Sequence, residues 1–390
     1  MEKNRLRLGI VPLADSAPVV VAKERGFFAE AGLEVEISRE ASWANIRDKL
    51  ALGVLDGAQM LATMPLSMTL GLAALKVPVV TAVALSLGGN TITVSAALAR
   101  RLEALGGDAN AGLKQIIDED RAAGRAKMTF AMVYPFSTHH YELRYWLAAA
   151  GIDPDRDLRL AVVPPPQMVA HLSAGNIDGF CAGEPWGTLA ARLGLGKRVA
   201  SGNDVFAGRI EKVFGVLRDW ADAHPQTHLA VVKALIRAAS WCEENRAETA
   251  AILAQPAYVN TPADILREGL ESPDQITFHR HAANFPWRSQ ALWYLGQMRR
   301  WGHLPQGVDE RRTAEEAYRP DLYRLAALEL GLPVPLIDHK PEGAHAGPWL
   351  LEQATSPILM GPDCFMDGAL FTPSAATPAV PAAGEAKESA

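Results

Sequence analysis

Three polar side chains in this sequence stand at the start of predicted elements, a position where α/β folds form ligand sites. Trp43 falls in the first turn of a predicted helix, His139 precedes another helix, and Lys212 leads into an apolar strand. An indole or imidazole N–H can donate a hydrogen bond to a ligand, and an ammonium group can neutralise one. Each residue also has an ordinary interpretation, which the residues alone leave open: a lid over the core, a structural histidine and a solvated surface lysine.

The side chains that support catalysis or metal binding form no recognisable pattern. Cys181, Cys242 and Cys364 are widely separated and lack the spacing of a metal site or a disulfide framework. The chain contains no CxxC and no G-x-S-x-G motif. We therefore predict a binding protein rather than an enzyme, with no cofactor and no metal, in a reducing compartment.

The composition is that of an ordinary globular protein. The chain has 390 residues, 49% hydrophobic and 21% charged, which allows two domains with a core each. Its net charge of −6 argues against nucleic acid as a direct partner. No apolar run free of charge or glycine approaches the length of a bilayer span, so no membrane association is expected.

Strand and helix patterns alternate at short spacing in the first part of the chain. Residues 5–12 alternate apolar with charged or small residues, as a half-buried strand does. Ser42 is a suitable N-cap for the helix that contains Trp43, and Gly53 suits the residue after its end. The alternation predicts an α/β fold with a parallel sheet.

His139 lies in a second unit of strand, turn and helix. Residues 128–133 form the predicted strand, and Thr138 is a plausible cap for the helix that follows. Backbone N–H groups at a helix start can face an anion. The unit would present His139 and those amides together, whereas His140 keeps a structural interpretation.

Several motifs occur in a fixed order in the first part of the chain. They are Gly9–Pro18, Ala22–Phe28, Ser42-Trp43 with Arg47-Asp48, and Met64-Pro65 with Thr69-Leu70-Gly71. The first two resemble the opening of type II periplasmic-type solute-binding proteins. The others narrow the resemblance to the binding proteins of nitrate and bicarbonate ABC importers, over about residues 6–304.

The resemblance implies a type II periplasmic-binding-protein-like fold, with two α/β lobes and a ligand cleft between them. The expected divisions are 1–89 for the first part of lobe 1, 90–185 for lobe 2, 186–340 for the return to lobe 1 and its C-terminal helices, and 341–390 for a C-terminal extension. In the family the chain crosses between lobes at glycine-containing turns, here Gly88-Gly89 and the segment around Gly183. The tail from about Thr372 is rich in Ala, Pro and Ser and is expected to be disordered.

The same resemblance implies five contacts to a small anion. They are Trp43 by shape and its indole donor, Asn90 by its amide, His139 as a donor, Gly183 by backbone approach and Lys212 by charge. Nitrate binders have a glutamine at the position of Asn90. The asparagine side chain keeps the amide donor but is one methylene shorter. Bicarbonate binders carry an acidic residue at the position of Lys212 and recruit a metal cation, so Lys212 favours nitrate or nitrite.

The expected function is that of a cytoplasmic nitrate/nitrite sensor. No apolar leader, twin arginine or cleavage site precedes the first strand, and the family includes cytoplasmic sensors of the NasS type. By this resemblance the protein would hold an RNA-binding antiterminator of the ANTAR class (NasT type) and release it on anion binding, controlling nitrate assimilation genes. Two alternatives stay open: the substrate-binding component of a nitrate/nitrite ABC importer whose leader is missing from this sequence, and an enzyme on the same fold.

Overall fold

Two five-stranded β-sheets organise the part of the chain that the structure describes. The structure is a computed structural model and describes residues 1–72, 75–272 and 276–373. In sequence order the strands are β1 (Arg5–Ile10), β2 (Glu34–Arg39), β3 (Gly57–Leu61), β4 (Val79–Leu87), β5 (Asn90–Ser95), β6 (Thr129–Met132), β7 (Arg159–Val162), β8 (Gly179–Gly183), β9 (Gly196–Ser201), β10 (Ile210–Leu217), β11 (Trp349–Leu351) and β12 (Ile358–Met360).

Helices cover both sheets. They are α1 (Ala17–Glu24), α2 (Phe27–Glu30), α3 (Trp43–Ala51), α4 (Met64–Leu70), α5 (Ala96–Leu105), α6 (Ala109–Ala122), α7 (Thr138–Ala149), α8 (Met168–Ser173), α9 (Trp186–Arg192), α10 (Gly202–Val205), α11 (Arg218–Ala223), α12 (Pro225–Glu244), α13 (Arg246–Leu253), α14 (Ala263–Glu271), α15 (Arg288–Arg300), α16 (Glu310–Ala317) and α17 (Pro320–Glu329), with short 3₁₀ turns at Ala14–Ser16 and Pro165–Gln167. Among these helices, none combines the length and the apolar character needed to cross a bilayer.

The sheet of lobe 1 has the strand order β2-β1-β3-β10-β4. Strand β1 runs parallel to β2 and β3, and β10 lies antiparallel between β3 and β4. Because β10 runs in the opposite direction, Lys212 near its start lies opposite Leu61, the last residue of β3. Lys212 is thus placed at the carboxyl edge of the parallel strands, the edge at which α/β sheets bind ligands.

The sheet of lobe 2 has the order β7-β6-β8-β5-β9. Strand β5 is antiparallel to both β8 and β9, and its first residue, Asn90, lies opposite Gly183 at the end of β8. The sheets and their covering helices confirm the predicted fold class of two α/β lobes.

The chain passes from β4 to β5 through Gly88 and Gly89, whose φ angles are 64° and 94°. A side chain is strained in this left-handed region, and a Cβ on Gly89 would lie 2.4 Å from Cγ1 of Ile276. The turn therefore depends on glycine for both its conformation and its packing.

The second crossing lies later than the sequence analysis predicts. The expected return to lobe 1 at residue 186 is wrong, because β9 still pairs with β5 in the sheet of lobe 2. The chain leaves that sheet after Ser201 and enters lobe 1 at Ile210, where β10 begins. Gly183 is the last residue of strand β8 and is not part of a crossing between the lobes.

The C-terminal extension packs against this second crossing. Ala207 donates a backbone hydrogen bond to Cys364, and Met366 donates one to Val205. The Tyr145 hydroxyl of α7 donates to the carboxylate of Asp367 at 2.8 Å. Within the described residues the extension therefore contacts lobe 2 and the crossing segment. The predicted disordered tail lies outside the described residues from position 374 onward.

Candidate ligand site between the lobes

Lys212 is fully buried between two carboxylates. Its Nζ lies 2.9 Å from Asp15 Oδ2 and 2.8 Å from Glu211 Oε1, and 5.6 Å from the centroid of the Trp43 ring. Burial opposes the charge on Lys212, but Asp15 and Glu211 outweigh it and raise the pKa of the ammonium group. Asp15 itself accepts a hydrogen bond from the amide of Gln59 on β3. Lys212 is therefore a permanent, buried positive charge.

Trp43 occupies the first position of α3, as the sequence predicts. The Ser42 hydroxyl caps this helix by accepting from the Asn45 N–H at 3.2 Å, and Gly53 follows its end with a φ of 68°. Trp43 is fully buried, yet its Nε1 has no hydrogen-bond partner among the described residues. A buried N–H without a partner is rare because it has lost its hydration. The indole therefore points a usable donor into the interior.

His139 lies on the first turn of α7. The cap of this helix is Ser137, which accepts from the His140 N–H at 3.0 Å, so the prediction that Thr138 is the cap is wrong. Thr138 instead donates its hydroxyl to Glu211 across the lobes. His139 Nδ1 lies 3.2 Å from Thr138 Oγ1, while its Nε2 has no partner in the described part of the chain.

Burial lowers the pKa of His139 to about 3, so its imidazole is neutral near neutral pH. A neutral imidazole carries one N–H, and Nε2 donates when the proton is on that nitrogen. His140 keeps its structural interpretation, because its Nδ1 contacts the Pro135 carbonyl oxygen at 2.6 Å and its Nε2 accepts from Arg144.

Asn90 and Gly183 lie side by side in lobe 2, and Gly183 faces Asp15. A Cβ added to Gly183 would lie 3.2 Å from Asp15 Oδ2 and 3.5 Å from Asn90 Oδ1, so glycine permits this close approach. The backbone of the two lobes also meets here, where Ala14 donates to the Glu184 carbonyl at 2.8 Å. The Asn90 amide N–H₂ donates to Glu142, and its Oδ1 has no partner among the described residues.

Sequence reasoning missed the charged groups that surround the five predicted residues. The missed groups are Asp15, Glu142, Arg209 and Glu211. Together with Lys212 we call them the buried charge cluster; each has 2% or less of its side chain exposed. Arg209 pairs with Glu142 and, at 3.3 Å, with Glu211. Glu211 is adjacent to Lys212, and Glu142 lies three residues after His139 on one helix face. These two spacings are the signals in the sequence from which Glu211 and Glu142 could have been predicted as site residues.

The cluster carboxyls titrate very differently. Burial raises the pKa of Glu142 to about 7 and also raises that of Asp15. Burial also favours the protonated form of Glu211, but electrostatic interactions with Lys212, His139 and Arg209 outweigh this effect and lower the pKa of Glu211 to about 2. Glu211 is therefore the firmly ionised partner of Lys212.

The structure brings all five predicted residues into one buried region. Lys212 contacts the ring of Trp43, Asp15 links Lys212 to Gly183, and Glu211 links Lys212 to Thr138 beside His139. Asn90 joins through its register with Gly183. The region combines a buried ammonium group with buried donors from both lobes, an arrangement that can neutralise and hydrogen-bond a small anion.

Residues 1–256 match the NMT1-like family. The chain belongs to this family. Nitrate import ATP-binding protein NrtC of Synechocystis sp. PCC 6803 is 42% identical over 355 residues, which cover 85% of this chain and 51% of that protein. Bicarbonate transport ATP-binding protein CmpC of the same strain is 40% identical over 349 residues, which cover 86% of this chain and 51% of that protein. The chain thus spans about half the length of these curated relatives.

A solved structure shares the whole fold. The crystal structure of the periplasmic nitrate-binding protein NrtA from Synechocystis PCC 6803 matches with a TM-score of 0.83 and 29% identity, over 94% of this chain and 95% of that one. Nitrate/nitrite-binding and bicarbonate-binding proteins are both among the relatives. The predicted family of nitrate/bicarbonate-type binding proteins is confirmed, and the relatives NrtA and CmpA are named as binding proteins, not as enzymes.

Proposed function

We propose that this protein binds nitrate or nitrite between its lobes and works as a cytoplasmic sensor. The observation that carries the binding proposal is the fully buried Lys212 ammonium group, which shares one region with the partnerless indole donor Trp43 Nε1 and with His139 Nε2, a ring nitrogen that also has no partner among the described residues. A small oxyanion loses its hydration on entry and needs a fixed charge and several donors to offset that loss. These groups supply both.

Lys212 also favours nitrate and nitrite over bicarbonate. Comparison by identity does not separate the two, because NrtC and CmpC match this chain almost equally well. In the nitrate branch a lysine pairs with the anion, whereas bicarbonate binders carry an acidic residue at that position and recruit a metal. A lysine held at this position by Asp15 and Glu211 supports an anion bound without a metal.

The sensor proposal rests on the resemblance to NasS-type proteins and on how the lobes meet. Thr138 of lobe 2 donates to Glu211 of lobe 1, and Ala14 of lobe 1 donates to Glu184 of lobe 2. An anion that enters between these groups changes how the lobes contact each other. A NasT-type ANTAR regulator that prefers the anion-free arrangement is then released. By linkage, the anion weakens binding of the regulator by the same free energy by which the regulator weakens binding of the anion, about 1–3 kcal/mol in typical cases. The regulator, rather than this protein, contacts RNA.

The ligand proposal is tested by calorimetric titration of the purified protein with nitrate, nitrite and bicarbonate, each with and without calcium. We expect nitrate or nitrite to bind without calcium and bicarbonate to bind poorly. Binding of bicarbonate that requires calcium would contradict the role given to Lys212, and no heat with any anion would refute the binding proposal.

The sensor is distinguished from an importer component by location and partner. We expect the protein in the cytoplasmic fraction of its native host, together with an ANTAR-domain protein that co-purifies without nitrate and elutes when nitrate is added. The alternative is favoured by the relative NrtC, whose name places it in nitrate import, and by the NrtA structure, whose name places that protein in the periplasm. Recovery outside the cytoplasmic membrane, with no nitrate-sensitive partner, would support that alternative.

A further inference from the structure

The buried charge cluster holds more negative than positive groups. It contains the three carboxyl groups of Asp15, Glu142 and Glu211 but only two permanent cations, Arg209 and Lys212. A bound monovalent anion would add one more negative charge to this interior. Unpaired charge in a region of low dielectric costs several kcal/mol, and buried groups usually take up a proton instead.

The three carboxyl groups differ in how well their charge is compensated. Asp15 has the Lys212 ammonium at 2.9 Å and the Gln59 amide. Glu211 has Lys212 at 2.8 Å, the Thr138 hydroxyl and a share of Arg209. Lys212 therefore serves two carboxylates.

Glu142 is the carboxyl group with the weakest compensation. Its ion-pair partner within the described residues is Arg209, which Glu211 shares, and its other contacts are the Asn90 amide and the Cys181 thiol at 3.8 Å. Several charged and titratable groups interact with Glu142: Cys181 on β8, Arg209 just before β10, Glu211 and Lys212 at the start of β10, and Tyr294 on α15. His139 lies three residues before Glu142 on the same helix.

Resting on the proposed function, we infer that the site takes up one proton with each anion, and that the Glu142 carboxyl group receives it. The proton comes from solvent, and no other bond forms or breaks. Glu142 then changes from a hydrogen-bond acceptor to a donor.

The same step frees the Asn90 amide for the anion. Asn90 now donates its N–H₂ to Glu142, while its Oδ1 has no partner among the described residues. A protonated Glu142 can donate to Oδ1 once the amide turns over, and the N–H₂ then faces the region beside Gly183 and Lys212. The proton thus removes the excess charge and supplies the donor that the sequence assigns to Asn90.

Titration behaviour supports Glu142 over His139 as the proton acceptor. Burial raises the pKa of Glu142 to about 7 but lowers that of His139 to about 3. A nearby anion raises the pKa of both groups, but Glu142 starts much closer to neutral pH and is therefore the group that becomes protonated.

The test is calorimetric titration of the full chain with nitrate, after chelator treatment, in buffers of different ionisation enthalpy. At about pH 8 we expect close to one proton taken up per anion, and a dissociation constant that rises about tenfold per pH unit above about pH 7. Below that pH, Glu142 already carries the proton, so uptake falls towards zero. Tight nitrate binding with no uptake and no pH dependence would overturn the inference.

Two variants locate the proton. Glu142→Gln should bind nitrate without proton uptake, with an affinity independent of pH and, at about pH 8, about tenfold tighter than wild type. Glu184→Gln, which removes a buried carboxyl group of lobe 2 paired with Arg198 at 3.3 Å, should keep the wild-type uptake. Uptake that persists in Glu142→Gln would refute the assignment and point to Asp15 or His139. No binding of nitrate or nitrite at any pH refutes the proposed function itself, whereas binding without uptake overturns only this inference.

Discussion

Two buried lysines in this protein have the same kinds of direct partners but differ in the hydrogen bonds of the groups around them. Lys212 and Lys340 each lie between two carboxylates and beside a tryptophan ring. The partners are Asp15, Glu211 and Trp43 for Lys212, and Glu342, Asp363 and Trp287 for Lys340. Burial opposes the charge on both lysines, and the carboxylates outweigh it and raise both pKa values.

The difference lies in the hydrogen bonds around each ion cluster. The Ser289 hydroxyl donates to Glu342 at 2.6 Å, and the His345 N–H donates to Asp363 at 2.8 Å, so each carboxylate beside Lys340 has a further donor. Around Lys212, Trp43 Nε1 and His139 Nε2 have no partners in the described part of the chain. Buried polar groups without partners beside an ion cluster can hydrogen-bond a molecule that enters there, which distinguishes the rings of Trp43 and His139 from the ring of Trp287.

Removing each lysine gives the largest expected contrast. Lys212→Met and Lys340→Met should each cost about 3–5 kcal/mol of stability, because two buried carboxylates lose their cation. Only Lys212→Met should also weaken nitrate binding, by a factor of about 100 or more, because the anion loses its charge partner. Urea denaturation and calorimetric titration measure the two effects.

Methionine is the better replacement here. Lys212→Glu would put a third carboxylate beside Asp15 and Glu211, and unfolding would then obscure the loss of binding. Equal loss of nitrate affinity in Lys212→Met and Lys340→Met would show that the comparison between the two clusters is wrong.

Glu142 should make stability depend on pH. Its pKa rises from 4.5 to about 7 on folding, so between these values the folded protein holds a proton that the unfolded chain has released. Stability from this group is therefore lost as pH rises through that window. The stability of Glu142→Gln minus that of wild type should grow by about 3 kcal/mol from about pH 4.5 to about pH 7. Urea denaturation across the window measures it, and a constant difference would contradict the raised pKa.

The two tryptophans provide the next contrast. Trp43→Phe keeps a ring beside Lys212 but removes the buried indole donor, so nitrate affinity should fall about tenfold, as for a hydrogen bond to a charged ligand. Stability should change little, since that N–H has no partner among the described residues. Trp287→Phe, beside Lys340, should leave the affinity unchanged. Unaltered affinity in Trp43→Phe would return Trp43 to the role of a lid over the core.

Two hydroxyl groups give the smallest contrast. Ser289 donates to Glu342 within lobe 1 and the extension, whereas Thr138 donates to Glu211 across the lobes. Ser289→Ala and Thr138→Val should each lower stability by about 1–2 kcal/mol. Thr138→Val should also change nitrate affinity by a few fold, because it alters how the lobes meet. Equal nitrate affinities for Thr138→Val and Ser289→Ala would show that the Thr138 hydroxyl has only a structural role.

Several local features were predictable because local rules determine them. The Ser42 cap and the glycine after α3 follow from the hydrogen bonds and φ angles of a helix end. The order of motifs predicted the family, which the comparisons confirm. The return to lobe 1 was placed too early because a strand pattern does not show which sheet the strand joins, and β9 joins lobe 2.

The sequence by itself determined the element types, the glycine turn between β4 and β5, the family and the presence of Trp43, His139 and Lys212. The tertiary structure alone decided which groups surround them. Asp15 and Glu142 come from distant segments, and they join Arg209, Glu211 and Lys212 in one cluster only when β10 inserts between β3 and β4. Charge interactions become strong once the groups leave water, so the protonation of the site depends on burial and on long-range contacts, which the order of residues does not specify.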